Sequence, residues 1–138
     1  MGMKIEDQVC SLEFAKKLKK LGVEQDSFFY WVEIGEHDLR LEFNIDKDAT
    51  SSYLSAFTVS ELGEMLPKIF YIDEDRYALK NGWVIKNRYM SNESEFWITT
   101  YLINGEPDYF KHFESEKEAD ARAEMLIYLI ENKLIEVN

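Results

Sequence analysis

The 138 residues carry sixteen Lys and Arg against twenty-seven Asp and Glu, a net charge of −11 spread over both halves of the chain. Aromatics at 14% give enough bulk for a core, which excludes a disordered chain despite 31% charged residues; the length fits one globular domain over residues 1–138. A field of this sign opposes bare nucleic acid and attracts basic partners, and its plainest use is solubility.

At the N-terminal end no apolar h-region follows Lys4, so no secretory leader is expected, and no apolar run reaches bilayer length. Gly2 invites acylation, but Glu6 stands where that motif wants Ser or Thr. A single cysteine, Cys10, excludes an internal disulfide framework and suits a reducing cytoplasm. Ser11 reads as the N-cap of a first helix over Leu12–Leu21, with Phe14, Ala15, Leu18 and Leu21 on one face. Lys16, Lys17, Lys19 and Lys20 form a solvated face or, alternatively, a phosphate-binding cluster. Gly22 is the expected residue after the C-cap, with Val23 folding back on Leu18.

Phe28–Ile34 is rich in aromatic and β-branched residues and reads as a strand. Gly35–Asp38 turns the chain, and Leu39, Leu41, Phe43 and Ile45 alternate with polar residues, completing a hairpin. Asp46–Ser52 is polar loop, and Tyr53–Phe57 a short strand or lead-in. Thr58 and Glu61 form a capping box for a short helix that buries Val59, Leu62 and Leu66 and stops at Pro67.

The rest reads as a meander: Lys68–Ile72, a turn at Asp73-Glu74-Asp75, Arg76–Lys80, Trp83–Met90, a loop at Ser91–Ser94, Glu95–Ile103 and Glu106–Phe113. Asn81-Gly82 and Asn104-Gly105 are both expected as hairpin turns, and Pro107 suits an edge strand. That register puts Trp83, Ile85, Tyr89, Phe96, Ile98, Leu102, Tyr109 and Phe113 on the core face. It puts Lys86, Arg88, Trp97, Thr99, Tyr101, Phe110 and His112 on the other. Ser115 and Glu118 read as a second capping box opening one long helix, Ser115–Leu134. Its stripe of Ala119, Ala123, Leu126, Ile127, Ile130 and Leu134 starts small and ends large, and Met125–Ile130 is apolar all round. The expected fold is α+β: an antiparallel sheet of four or more strands on a long C-terminal helix, with an N-terminal and a short central helix.

Three blocks carry a resemblance: Cys10-Ser11-Leu12-Glu13-Phe14-Ala15-Lys16-Lys17-Leu18 on to Trp31, Ala56-Phe57-Thr58-Val59-Ser60-Glu61-Leu62-Gly63-Glu64-Met65-Leu66-Pro67, and Glu118 through Ile135. Together they cover about half the chain and resemble short proteins of bacteriophages and integrated mobile elements of gut bacteria, a family without an established activity. The resemblance implies a small accessory protein acting inside a bacterial host, and carries no catalytic residue across.

No P-loop, dinucleotide fingerprint, nucleophile elbow, zincin helix or C-x-x-C motif is present, so no enzyme, cofactor or metal site is expected. His37, between Glu36 and Asp38, reads as a solvated turn residue. Cys10 precedes a helix start, where a thiolate is stabilised; a half-buried structural thiol is the other reading. Two function classes remain. One is an acidic protein-binding module, an inhibitor or nucleic-acid mimic directed at a basic surface of a host protein. Its contacts would be Asp46, Asp48, Asp73, Glu74, Asp75, Glu106, Asp108, Glu114 and Glu116. The other is a single-strand accessory factor using Lys86, Arg88, Trp97, Tyr101, Phe110 and His112 as a stacking face, unless the Phe28–Ile45 hairpin or the first helix covers it.

Overall fold

A computed structural model describes residues 4–35, 38–50, 52–88, 92–105 and 109–137, with 84–88, 92–94 and 109–110 followed in the backbone alone. After a 3-10 turn at Ile5–Asp7 come α1 (Leu12–Lys20), β1 (Phe29–Glu33), β2 (Leu39–Phe43), β3 (Tyr53–Ser55) and α2 (Val59–Met65). Then follow β4 (Ile69–Ile72), β5 (Asp75–Arg88), β6 (Asn92–Ile103), β7 (Tyr109–Ser115) and α3 (Glu118–Glu131). The strands form two antiparallel sheets, ordered β2-β1-β3 and β4-β5-β6-β7. This is the expected α+β class.

α3 lies between layers. It packs on β6 and β7 on one side and on α1 and α2 on the other. An all-apolar run such as Met125–Leu129 needs that double cover, and Met125, Leu126 and Leu129 are buried. The alanines at its start, Ala119, Ala121 and Ala123, are fully buried and let other elements come close. Gly63 of α2 serves the same approach, since a Cβ there would meet the Arg122 guanidinium. Arg122 spans the two helices, donating to the Val59 carbonyl (3.3 Å) and lying 3.8 Å from Glu118.

The caps follow local chemistry, with two exceptions. α1 ends as expected: Gly22 takes φ 93°, its N–H donates to the Lys19 carbonyl (3.0 Å), and Val23 N–H donates to that of Leu18 (3.0 Å). The Thr58–Glu61 capping box is complete. Ser11 does occupy the N-cap of α1, but its side chain makes no cap bond. Its own N–H donates instead to Asp120 Oδ1 of α3 (2.7 Å). The second exception is α3, which starts at Glu118, because β7 stays paired through Ser115, opposite Trp97. Lys117 holds the N-cap position, and Ser115 Oγ accepts from Lys117 N–H (3.2 Å) in place of a capping box. The helix stops at Glu131, short of Leu134. Lys133 turns left-handed at φ 57°, and Leu134 N–H closes on the Leu129 carbonyl (2.9 Å).

The largest departure is at Asn81-Gly82. β5 runs straight through it, with Asn81 opposite Thr99 and Gly82 opposite Ile98. Asn81 Oδ1 accepts from Thr99 Oγ1 (2.9 Å), so the amide is used across the ladder and not in a turn. The tight turn lies at Asp73-Glu74, where Asp73 has φ 56°. Asn104 and Gly105 do turn left-handed, at φ 53° and 74°. β6 already begins at Asn92, inside the expected Ser91–Ser94 loop.

With the long ladder in place Trp83 pairs with Trp97, and the face assignment changes. Phe70, Tyr77, Leu79, Tyr101, Ile103 and Phe113 belong to the core beneath α3. Phe96, Ile98 and Leu102, expected in that core, point to the opposite face with the exposed Ile69 and Tyr71. Trp83 and Phe113 do lie on the inner face, while Tyr89 and the side chains of Ile85 and Tyr109 fall outside the described residues. The Phe28–Ile45 hairpin pairs with β3 in the other sheet.

Candidate binding surface

Among the described residues the stacking face foreseen from the sequence does not assemble. Tyr101 is fully buried; its hydroxyl donates to the Pro67 carbonyl (2.7 Å), and burial pushes its ionisation upward. Thr99 is buried beside it. His112 faces the other way and lies 2.8 Å from Glu114 Oε1, an i, i+2 pair on one strand. The side chains of Lys86, Arg88 and Phe110 lie outside the described residues. Trp97 remains, stacked on Trp83 with centroids 5.3 Å apart and planes 19° apart. Trp83 is 55% exposed, and by strand alternation the exposed Glu95 shares this face.

The acidic residues fall into separate places. Asp46 caps its own loop, accepting from Asp48 N–H (3.0 Å). Asp73 and Glu74 form the β4–β5 turn, and Asp75 accepts from Asn104 Nδ2 (2.9 Å). Glu114 is tied to His112, whereas Glu116 is exposed just past β7. Glu106 and Asp108 lie outside the described residues. Asp48, Glu74 and Glu116 are therefore exposed acids at three different places, not one row.

Cys10 is not poised for chemistry. It is fully buried, and burial pushes its thiol up to about 12. The four lysines of α1 are exposed, as a solvated face requires; Lys19 donates to the Tyr53 carbonyl (3.0 Å). His37 lies outside the described residues. Among the described residues no three His, Cys, Asp or Glu side chains converge on a metal position. No helix among the described residues is long and apolar enough to cross a membrane.

One feature was not foreseen. A cavity of about 530 Å³ opens between the segment after α1, α2, and the C-terminal end of α3 with the residues that follow it. Its floor is apolar: Phe57, Leu126, Met65 and Ile130. Its mouth carries Glu24, Asp26, Glu61, Glu64 and Glu136, and no lysine or arginine among the described residues lines it. Glu61 is fixed there by the Thr58 cap and by Phe28 N–H, which donates to its Oε2 (3.2 Å). Gln25 pins the neighbouring segment, its side-chain oxygen accepting from Ser55 N–H (2.7 Å). The carboxylates come from three stretches far apart in sequence, so no local spacing announced them.

Glu124 of α3 lines a second hollow with Glu13, Lys17, Lys111 and Tyr128. Burial, then the carboxylates of Asp120 and Glu13, raise it above its ordinary 4.5, with Lys17 opposing. The folded chain thus holds this proton more tightly than the unfolded chain. Stability should fall as pH rises from the ordinary value through the raised one, and stay level above. Glu124→Gln should melt higher than the parent at neutral pH and match it in acid; scanning calorimetry across that range checks the crossing.

Comparison with known proteins found no matching family model, no matching curated protein and no matching solved structure.

Proposed function

We propose that the chain is a non-enzymatic accessory protein of a bacteriophage or mobile element. In this reading it acts in the host cytoplasm by binding a protein with a basic surface. The target is a defence or nucleic-acid-binding protein, held as an anti-CRISPR or other nucleic-acid mimic holds its target. The supporting observation is the surface charge: a net −11, with Asp48, Glu74 and Glu116 exposed at separate places. Such a distribution acts as a field more than as a patch, and a field chiefly speeds encounter.

The test is capture from a bacterial lysate at two salt concentrations, with and without nuclease. The expected result is a protein that survives nuclease and is lost as salt rises. Asp48→Lys, Glu74→Lys and Glu116→Lys together should slow association more than any one alone, since a single exposed pair contributes only about 0–1 kcal/mol. Asp75 is left intact in that variant because Asn104 depends on it. A captured protein indifferent to salt would count against the charge.

The Trp83–Trp97 stack, exposed at Trp83, favours a second reading, a single-strand accessory factor. Glu95 on the same face and the global charge work against phosphate there. Capture that disappears with nuclease, and with Trp97→Ala, would select this reading.

A further inference from the structure

We infer that the acid-mouthed cavity receives a basic peptide segment of the partner, seating one large apolar side chain on its floor while flanking Arg or Lys side chains meet its rim. The inference rests on the protein-binding reading above and specifies what that module grips. The floor sets the first requirement. Phe57 and Leu126, each only 2% exposed, close the bottom, and the half-buried Met65, Ile130, Ile135 and Val137 supply the apolar surface still open to an apolar group. The volume, about 530 Å³, is within the range of sites that enclose a ligand. The mouth sets the second requirement. Its five carboxylates are matched by no cation in the lining, although Lys47 just outside faces Asp26, so the mouth favours an occupant that brings positive charge. A single metal ion does not answer this, since the acids do not converge on one point among the described residues. A polyamine brings the charge and leaves the floor wet. A chain with an apolar residue between basic ones satisfies both.

The walls are suited to hold such a guest without remodelling. Glu61 is locked by the α2 cap, and the segment from Val23 to Asp26 is held by Gln25, which accepts from Ser55 N–H and whose side-chain amide donates to the Val23 carbonyl (3.0 Å). Lys47 donates to the Gln25 carbonyl (2.6 Å) from outside the cavity, leaving the mouth acidic. The fixed Glu61 spares part of the cost of ordering side chains on binding.

The experiment uses the whole chain and fluorescence anisotropy of a labelled peptide carrying one Trp between arginine pairs. Two counterpart peptides replace the Trp by Ser, or the arginines by Glu; spermidine alone is the competitor. Saturable binding of the first peptide is expected, lost with either replacement and weakened by salt. Glu24→Gln, Glu64→Gln and Glu136→Gln together should weaken it by about tenfold at low salt, as a sum of small exposed pairs. Val137→Arg, which sets the chain's own cation among the lining residues, should weaken it as well, with melting temperatures checked for both variants. Equal binding of the Ser peptide, equal binding by the triple Gln variant, or displacement by spermidine at the peptide's own concentration would overturn the inference. The lysate capture separates its failure from that of the broader reading. A partner kept by the cavity variants but lost on reversing Asp48, Glu74 and Glu116 removes the cavity alone. A parent chain that captures no salt-sensitive protein removes the reading itself.

Discussion

Replacing Ile127 by Asp should lower the unfolding free energy by about 3 kcal/mol or more. Ile127 is 6% exposed in α3 and belongs to the core shared by the helices and the larger sheet. An aspartate there has two choices. Ionised, it is a desolvated charge at a hollow where Glu13, Glu124 and Glu131 oppose it and Lys17 and Lys111 offset them. Protonated, it still removes the isoleucine from the core and keeps a polar group dry. Urea denaturation should show a lower midpoint with an unchanged slope. An unchanged midpoint would mean that α3 does not pack as described.

The second large effect belongs to Asp120. It is 8% exposed, and its Oδ1 accepts from Ser11 N–H at 2.7 Å. It also lies in the first turn of α3, where a negative charge is favoured by the helix dipole. Asp120→Ala should cost about 2 kcal/mol, the range of a hydrogen bond to a charged group. Asp120→Asn keeps an acceptor of the same shape and should cost less. Equal losses for the two would assign the effect to charge at the helix end instead of to the bond with Ser11. Denaturation at matched ionic strength reads the difference.

Much of the fold was legible wherever the signal is local. The Gly22 helix end, the Thr58–Glu61 box, the strand Leu39–Phe43 (its Phe43 exposed against expectation) and the apolar run of α3 each need only their own neighbours. What failed needed a partner. Asn81-Gly82 carries the turn chemistry of a hairpin, but its neighbours across the ladder, Thr99 and Ile98, hold it extended. The slip in that register then exchanged the two faces of β6, sending Tyr101 inward and Phe96 outward. Ser115 has the sequence of a cap and is held in β7 by Trp97. The same holds for the surface. Individual acids were visible, whereas the cavity mouth is made by Glu24, Glu64 and Glu136, which come together only when α1, α2 and α3 have packed.

The bond between Ser11 and Asp120 also sets an order in time. Its two ends are 109 residues apart. A ribosome adding about 5–20 residues per second needs roughly 5–20 s to pass from one to the other. Through that interval the face of α1 that carries Ala15 and Leu18 has no α3 to close on, and both residues are fully buried once it arrives. The first helix to be made is thus among the last to be completed. The smaller sheet, whose strands are synthesised in between and which meets α1 through β3, is the nascent chain's nearest available cover for that face.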